Sequence, residues 1–531
     1  MSAYQDGFER LTLKEKIGQL FMCGFEGLEP PADFIRLIRD YGIGGVIYFR
    51  RNLSDAGQVE SLSAKLQAAS AHPMFIAVDQ EGGMVVRLEE GVTVMPGAMA
   101  VGAAGDVDLA FEAARLSGAE LRHIGINMNF APCLDVNNNP LNPVIGVRSY
   151  GEDPWRVASL GVAAIYGYRE GGVIAVAKHF PGHGDTAVDS HHALPLVPHG
   201  EARLNEVELL PFKHAIDQRA DAIMTAHVVF PAFEPDRVPA TLSARILTGL
   251  LREKLGFNGV IVTDCLEMNA IAETIGVARG AVEAIKAGAD LILVSHRISR
   301  QTAALEAVME AVLAGEIPEA RIEEAARRIW ELKRARGLFG GELPATDKAR
   351  AEEVQREICR AAVTVVKGGE HLPLPKEGRT VVVWAEPQRR TEVIEVIAQP
   401  WTLGAALSEA GYDVEEVRIG TDPTPEDRAE AIAAASGAGT VVFASYDSAF
   451  SPAQSGLVRE LAAKHGDSFV WVATRTPYDL LDAPDVPIYL CTYENKPAMM
   501  TALAAVLSGD SEATARQPVT IGERKRVSGT G

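Results

Sequence analysis

The sequence predicts an α/β protein, a TIM-like (β/α)8 barrel followed by a smaller αβα sandwich domain. Three observations carry that expectation. Over the first 340 residues short Val/Ile-rich runs alternate eight times with amphipathic segments, polar residues gather where those runs end, and an aperiodic Gly/Pro stretch then precedes a second alternating series. At 531 residues the chain exceeds one ordinary core, so two domains are expected on length alone.

Taken in order, the predicted strands of the first region are IGQLFMCGF (17–25), GGVIYF (44–49), PMFIAVD (73–79), NMNFAPCLDV (127–136), VIAVAKHF (173–180), AIMTAHVV (222–229), GVIVTD (259–264) and DLILV (290–294). They are short runs rich in apolar residues. Between them ADFIRLIRDYG, AGQVESLSAKLQAAS, VDLAFEAARLSGAELRHIG, WRVASLGVAAIYGYREGG and ARGAVEAIKAGA carry apolar residues at helical spacing. A doubly wound open sheet is the structural alternative to a closed barrel. Residues 1–340 are read as the barrel, 341–350 (GELPATDKAR) as a linker, 351–522 as the sandwich, and 523–531 (ERKRVSGTG) as a tail. The second series runs AAVTVV, TVVVWAE, VEEVRI, TVVFASY, SFVWVAT and IYLCTY, again separated by helical segments. No phosphate-binding GxGxxG follows any of them, so nucleotide binding finds no support.

Composition excludes several classes of partner. A formal charge of −20 repels nucleic acid and anionic membrane surfaces. No window approaches the roughly 20 apolar residues of a membrane-spanning helix. The N-terminal MSAYQDGFERLTLKEKIGQL is charged throughout and lacks an apolar signal region. Five scattered cysteines, odd in number and without a CxxC pair, read as buried free thiols. A cytoplasmic protein is expected.

The chemistry concentrates in KHFPGHGDTAVDSHH (178–192), which leaves the strand VIAVA and holds Lys178, four histidines and two aspartates. Asp189 stands two residues before His191, so its carboxylate can hold one ring nitrogen while the other moves a proton. Asp79, Asp135, His179, His227 and Asp264 lie where other strands end, and a barrel collects its active site at that face. Each has a plainer explanation. Asp264 would serve as a helix cap for CLEMNAI, and the histidines with Asp185 and Asp189 would suit a metal-dependent hydrolase, although neither an HxH on the first strand nor an HExxH is present. Asp135 and His227 are expected to brace the site, and Cys265 to pack.

The chain resembles glycoside hydrolase family 3, and within it the NagZ-type β-N-acetylglucosaminidases. The resemblance rests on AVDQEGGMVVRL (77–88), NFAPCLDV (129–136), VIGVRSYGEDP (144–154), KHFPGHGDTAVDSHHALP (178–195), MTAHVVFP (224–231) and VTDCLEMNAI (262–271), in that order. It implies a retaining double displacement that removes terminal β-linked N-acetylglucosamine, with no cofactor and no metal. It makes Asp264 the nucleophile, His191 the acid/base and Asp189 its orienting partner, and puts sugar recognition on Asp79, Arg87, Arg148, Lys178 and His179. It also implies a role in recycling cell-wall muropeptides. Three other activities stay open: a phosphorylase that uses phosphate as acceptor, because a neutral imidazole does not repel that anion; a β-glucosidase of the same family; and a sugar-binding barrel without turnover.

Overall fold

The computed structural model describes residues 7–187, 194–387 and 401–522. Eight parallel strands form the first sheet: β1 (Phe21–Cys23), β2 (Gly45–Tyr48), β3 (Phe75–Val78), β4 (Met128–Asn129), β5 (Ile174–Phe180), β6 (Ala222–Thr225), β7 (Val260–Val262) and β8 (Ile292–Val294). Their order is β7-β6-β5-β4-β3-β2-β1-β8. Backbone bonds from Asp290 and Leu291 to the Ile261 carbonyl, and from Thr263 to the Leu291 carbonyl, join the two ends. The sheet is therefore a TIM-like barrel and not an open sheet. Every one of the eight predicted runs contains its strand, because Val, Ile and Met side chains packed on both faces favour the pleated conformation over a solvent-facing one.

Helices between the strands start where the sequence supplies acceptors for their free N–H groups. Asp106 caps Val107–His123 through the Asp108 and Leu109 amides, and Asp153 with Pro154 behind it opens Pro154–Glu170. These two helices pack on one another, and Pro154–Glu170 also packs on β5, the strand that carries Lys178 and His179.

The second sheet contains β9 (Thr364–Lys367), β10 (Arg379–Ala385), β11 (Asp413–Ile419), β12 (Thr440–Ser445), β13 (Phe469–Ala473) and β14 (Ile488–Cys491) in the order β11-β10-β12-β13-β14-β9. All neighbours run parallel except β9, which pairs antiparallel with β14. Asp347 caps the helix Lys348–Ala362, so the last three residues of 341–350 are already helical. From that helix Ala351, Val354 and Ile358 pack into a cluster with Met95, Leu116, Tyr150 and Val157 of the barrel. A second cluster joins Met84, Val85, Met99 and Val147 of the barrel to the core of the second sheet. Both clusters lie against the segment 81–101 that follows β3. Among the described residues, no helix is long and apolar enough to cross a membrane.

Candidate active site

The polar residues singled out in the sequence do gather at the C-terminal ends of the barrel strands. Asp79 follows β3, Lys178 and His179 lie within β5, His227 follows β6 and Asp264 follows β7. Lys178 is 2% exposed, and its Nζ reaches Asp79 Oδ1 at 2.9 Å and Glu81 Oε1 at 2.6 Å. Arg148 closes on the same Glu81 with Nη2–Oε1 at 2.7 Å and Nε–Oε2 at 3.0 Å, a planar fork against a carboxylate. Arg87 Nη2 stands 3.7 Å from Asp79 Oδ2. Four of the five predicted sugar-binding residues are thus tied together through two carboxylates, and one of these, Glu81, was not singled out in the sequence.

The charges balance by mutual contact. Burial alone would raise the Glu81 carboxyl, but the Arg148 and Lys178 charges reverse this and hold it down to about 2. Burial works equally against the Lys178 ammonium, and Asp79 and Glu81 outweigh it, so that its pKa rises. The result is a rigid array of ionised groups whose remaining lone pairs and N–H groups can meet sugar hydroxyls.

A second hub sits beside the first. Asp135 is fully buried and accepts the His179 Nδ1 proton at 2.6 Å, the His183 backbone N–H at 2.6 Å and the Cys133 thiol at 3.1 Å. Burial again pushes the Asp135 carboxyl up, and His179 and His183 bring it well below the usual range. With Nδ1 donating, His179 turns Nε2 toward Arg148 Nη2 at 3.5 Å, which links the two hubs. His183 is itself buried, and desolvation together with His179 lowers it to about 4. The loop beyond β5 is fastened by Asn142, whose amide donates to the His183 and Gly184 carbonyls, both at 2.9 Å. Gly184 is needed there because a Cβ would fall 1.9 Å from the Val136 carbonyl oxygen.

Asp264 is partly exposed and accepts the Cys265 N–H at 2.7 Å. It caps no helix: the nearest one, Asn269–Ala272, is preceded by Met268 in the cap position without a side-chain cap. The helix-cap explanation is thereby removed. His227 supports this edge, with Nδ1 2.8 Å from the Thr241 hydroxyl and Nε2 3.0 Å from the Cys265 carbonyl, which fixes the turn that follows Asp264. Asp189 and His191 lie outside the described residues.

Among the described residues, the groups able to ligate a metal are engaged with protein partners. Cys133 and His179 both bond to Asp135, and Asp185 pairs with His199 while Glu208 takes Arg203. Glu267 accepts the His296 N–H at 2.6 Å and faces Arg300. The donor sets are those of hydrogen-bonded braces. A cavity bounded by Gln67, His72, Arg122 and Asn127 opens at the N-terminal ends of the strands, the face where barrels carry stability and not chemistry.

A family model for the glycosyl hydrolase family 3 N terminal domain matches residues 12–332. The chain belongs to glycoside hydrolase family 3. A family 3 β-N-acetylglucosaminidase from Paenibacillus sp. str. FPU-7 is 49% identical over 96% of this chain and 99% of its own, with a TM-score of 0.93. Beta-hexosaminidase A of Pseudoalteromonas piscicida is 31% identical over 96% of this chain and 97% of its own length. Beta-hexosaminidase of Xylella fastidiosa (strain M23) is 36% identical over 52% of this chain and 83% of its own length. Similarity to the first two covers both sheets; to the third it covers about half of the chain.

Proposed function

We propose that the chain is a retaining glycosidase that removes terminal β-linked N-acetylglucosamine, a β-N-acetylhexosaminidase. One observation carries the reading: the buried array of Asp79, Glu81, Arg148 and Lys178, with His179 against it, stands at the strand ends together with Asp264, in a chain 49% identical to a β-N-acetylglucosaminidase. Two ionised groups of each sign, locked before substrate arrives, can bind the hydroxyls of a non-reducing sugar without reorganising.

Asp264 then acts as the nucleophile. Its carboxylate attacks the anomeric carbon, the glycosidic C–O bond breaks, and His191, protonated, gives its proton to the leaving oxygen. Asp189 holds the imidazole in orientation. In the second half, neutral His191 takes a proton from water as the water oxygen displaces Asp264 from the anomeric carbon, which releases the sugar with its configuration retained. No cofactor takes part. An imidazole with an ordinary pKa of about 6.5 suits both strokes near neutral pH.

Muropeptide fragments bearing N-acetylglucosamine are the natural substrates we assign, in the cytoplasm, where the five unpaired buried cysteines would stay reduced. The test is direct. Wild type should release nitrophenol from nitrophenyl β-N-acetylglucosaminide faster than from the glucoside, and Asp264→Ala should not; equal rates in the two proteins end the proposal. A sugar 1-phosphate as main product in phosphate buffer would make the enzyme a phosphorylase instead.

A further inference from the structure

The segment that carries Asp79, Glu81 and Arg87 is held by a residue from the other domain. Glu494 follows β14 in the second sheet, is 2% exposed, and accepts the Gly97 N–H through Oε2 at 2.7 Å. The same oxygen lies against Gly83, where a Cβ would approach it to 2.6 Å, and Gly83 itself packs on Gly97 in the left-handed region at φ +54°. Gly83 donates to the Met95 carbonyl at 2.8 Å, while Glu81 and Gly82 both donate to the Val85 carbonyl at 3.0 and 3.2 Å. Glu81 therefore sits on a tight turn whose floor, Gly83 on Gly97, is pressed against the Glu494 carboxylate. Two residues further along the chain Lys496 pairs with Glu89 of the same segment.

The carboxylate is an expensive choice for a merely adhesive contact. Burial raises it to about 7, and the Gly97 N–H and Lys496 only partly offset that. Its backbone is nonetheless held firmly: the Thr492 hydroxyl donates to the Glu494 carbonyl at 2.9 Å, and Tyr493, in the left-handed region at φ +65°, has its hydroxyl 2.7 Å from that of Thr364.

We infer that Glu494 is a positioning residue of the glycosyl site: from the second domain it fixes the Glu81–Gly97 turn, and through Glu81 it sets where Arg148 and Lys178 present their N–H groups to the sugar. The barrel's own residues bind the sugar, but the second domain completes their geometry. This role rests on the sugar site proposed above, so its test reads binding as well as turnover.

Three variants decide it. Glu494→Ala removes the acceptor, Glu494→Gln keeps an acceptor oxygen and the volume, and Val442→Ala thins the second-domain core on β12, two strands away from the β14 that leads to Glu494. In Glu494→Ala the KM for nitrophenyl β-N-acetylglucosaminide should rise about tenfold with a smaller fall in kcat, and Glu494→Gln should restore KM to within about threefold of wild type. Val442→Ala should lower the melting temperature and leave both constants alone. Wild-type kinetics in Glu494→Ala, or a KM rise of equal size in Val442→Ala, would overturn the role. Calorimetric affinity for N-acetylglucosamine, expected to fall about tenfold in Glu494→Ala alone, separates the two proposals: a protein that binds the sugar without cleaving it sinks the hydrolase and still reports on Glu494.

Discussion

Buried carboxylates stand at the C-terminal ends of parallel strands in both domains, yet burial has opposite outcomes in the two. At the barrel mouth Glu81 is held down to about 2 because Arg148 and Lys178 reach it, and Asp135 is depressed by His179 and His183. Beyond β13 of the second sheet Asp479 is driven up to about 7 by burial, with the Ser445 hydroxyl and the Ala449 and Ser448 N–H groups as partners and Asp447 adding to the rise. Glu494 is raised to the same value. A neutral donor stabilises a carboxylate far less than a cation does at the same distance. The barrel mouth keeps Glu81 and Asp135 ionised through cations that reach them, whereas Asp479 and Glu494 of the second domain act as hydrogen-bonding pegs.

The sharpest way to break this contrast is to remove one acid from each side. Asp264→Ala should cost on the order of 10⁴-fold in kcat with little change in melting temperature, because the nucleophile we propose there is needed only for the reaction. Asp479→Asn should do the reverse and leave kcat at wild-type values. Activity assays and calorimetry on the two proteins check both halves, and a large activity loss in Asp479→Asn would mean that the second domain takes part in chemistry directly.

Next in size is Glu81→Gln. The substitution keeps the shape and removes the charge that two buried cations share, which strands Arg148 in particular, since Asp79 still serves Lys178. Breaking a buried pair from one side costs about 3–5 kcal/mol. A fall in melting temperature of several degrees should accompany weaker sugar affinity; a variant as stable as wild type would show that the array is held by backbone contacts and not by charge.

That Glu81 escaped the sequence reading has a physical reason. It lies inside the AVDQEGGMVVRL block, but a strand-end aspartate announces itself by position and a glutamate two residues later in a glycine turn does not. Counting charges would have found it, since Lys178 and Arg148 cannot both be buried on Asp79 alone. The strands were readable because runs such as VIAVA and TVVVWA fit only a two-sided core. The antiparallel direction of β9 was not, because AAVTVV carries nothing that encodes direction. Contacts between distant segments, such as Glu494 with Gly97, leave no local trace either.

Acid-linked stability should also separate the domains. Glu81 has a folded pKa of about 2 against an ordinary 4.5, so its contribution is present above about pH 4.5 and is lost as the pH falls toward 2. Glu494 and Asp479 have folded values of about 7 against ordinary values of 4.5 and 3.8, so theirs is complete only below those ordinary values and is lost as the pH rises to 7. The shifts correspond to roughly 3 kcal/mol for Glu81 and Glu494 and about 4 kcal/mol for Asp479. Between pH 5 and 8 the melting temperature should fall, and Glu494→Gln or Asp479→Asn should flatten that slope, whereas Glu81→Gln should not. Because every variant experiences the same overall negative charge, the differences between them isolate the single groups.

The smallest effect is expected where the two patterns meet. Lys496 and Glu89 join the domains with an ordinary ion pair, Lys496 nearly buried and Glu89 with a quarter of its side chain exposed. Water screens such a pair, so Lys496→Met should cost no more than about 1 kcal/mol. Its ammonium also lowers Glu494, and without it that carboxyl should titrate higher still. The loss of stability with rising pH should then extend to higher pH in Lys496→Met than in wild type, and this extension should vanish when Glu494→Gln is added. An unshifted profile in the single variant would mean that Lys496 serves Glu89 alone and that the Gly97 N–H is the only group holding the Glu494 carboxylate in its ionised form.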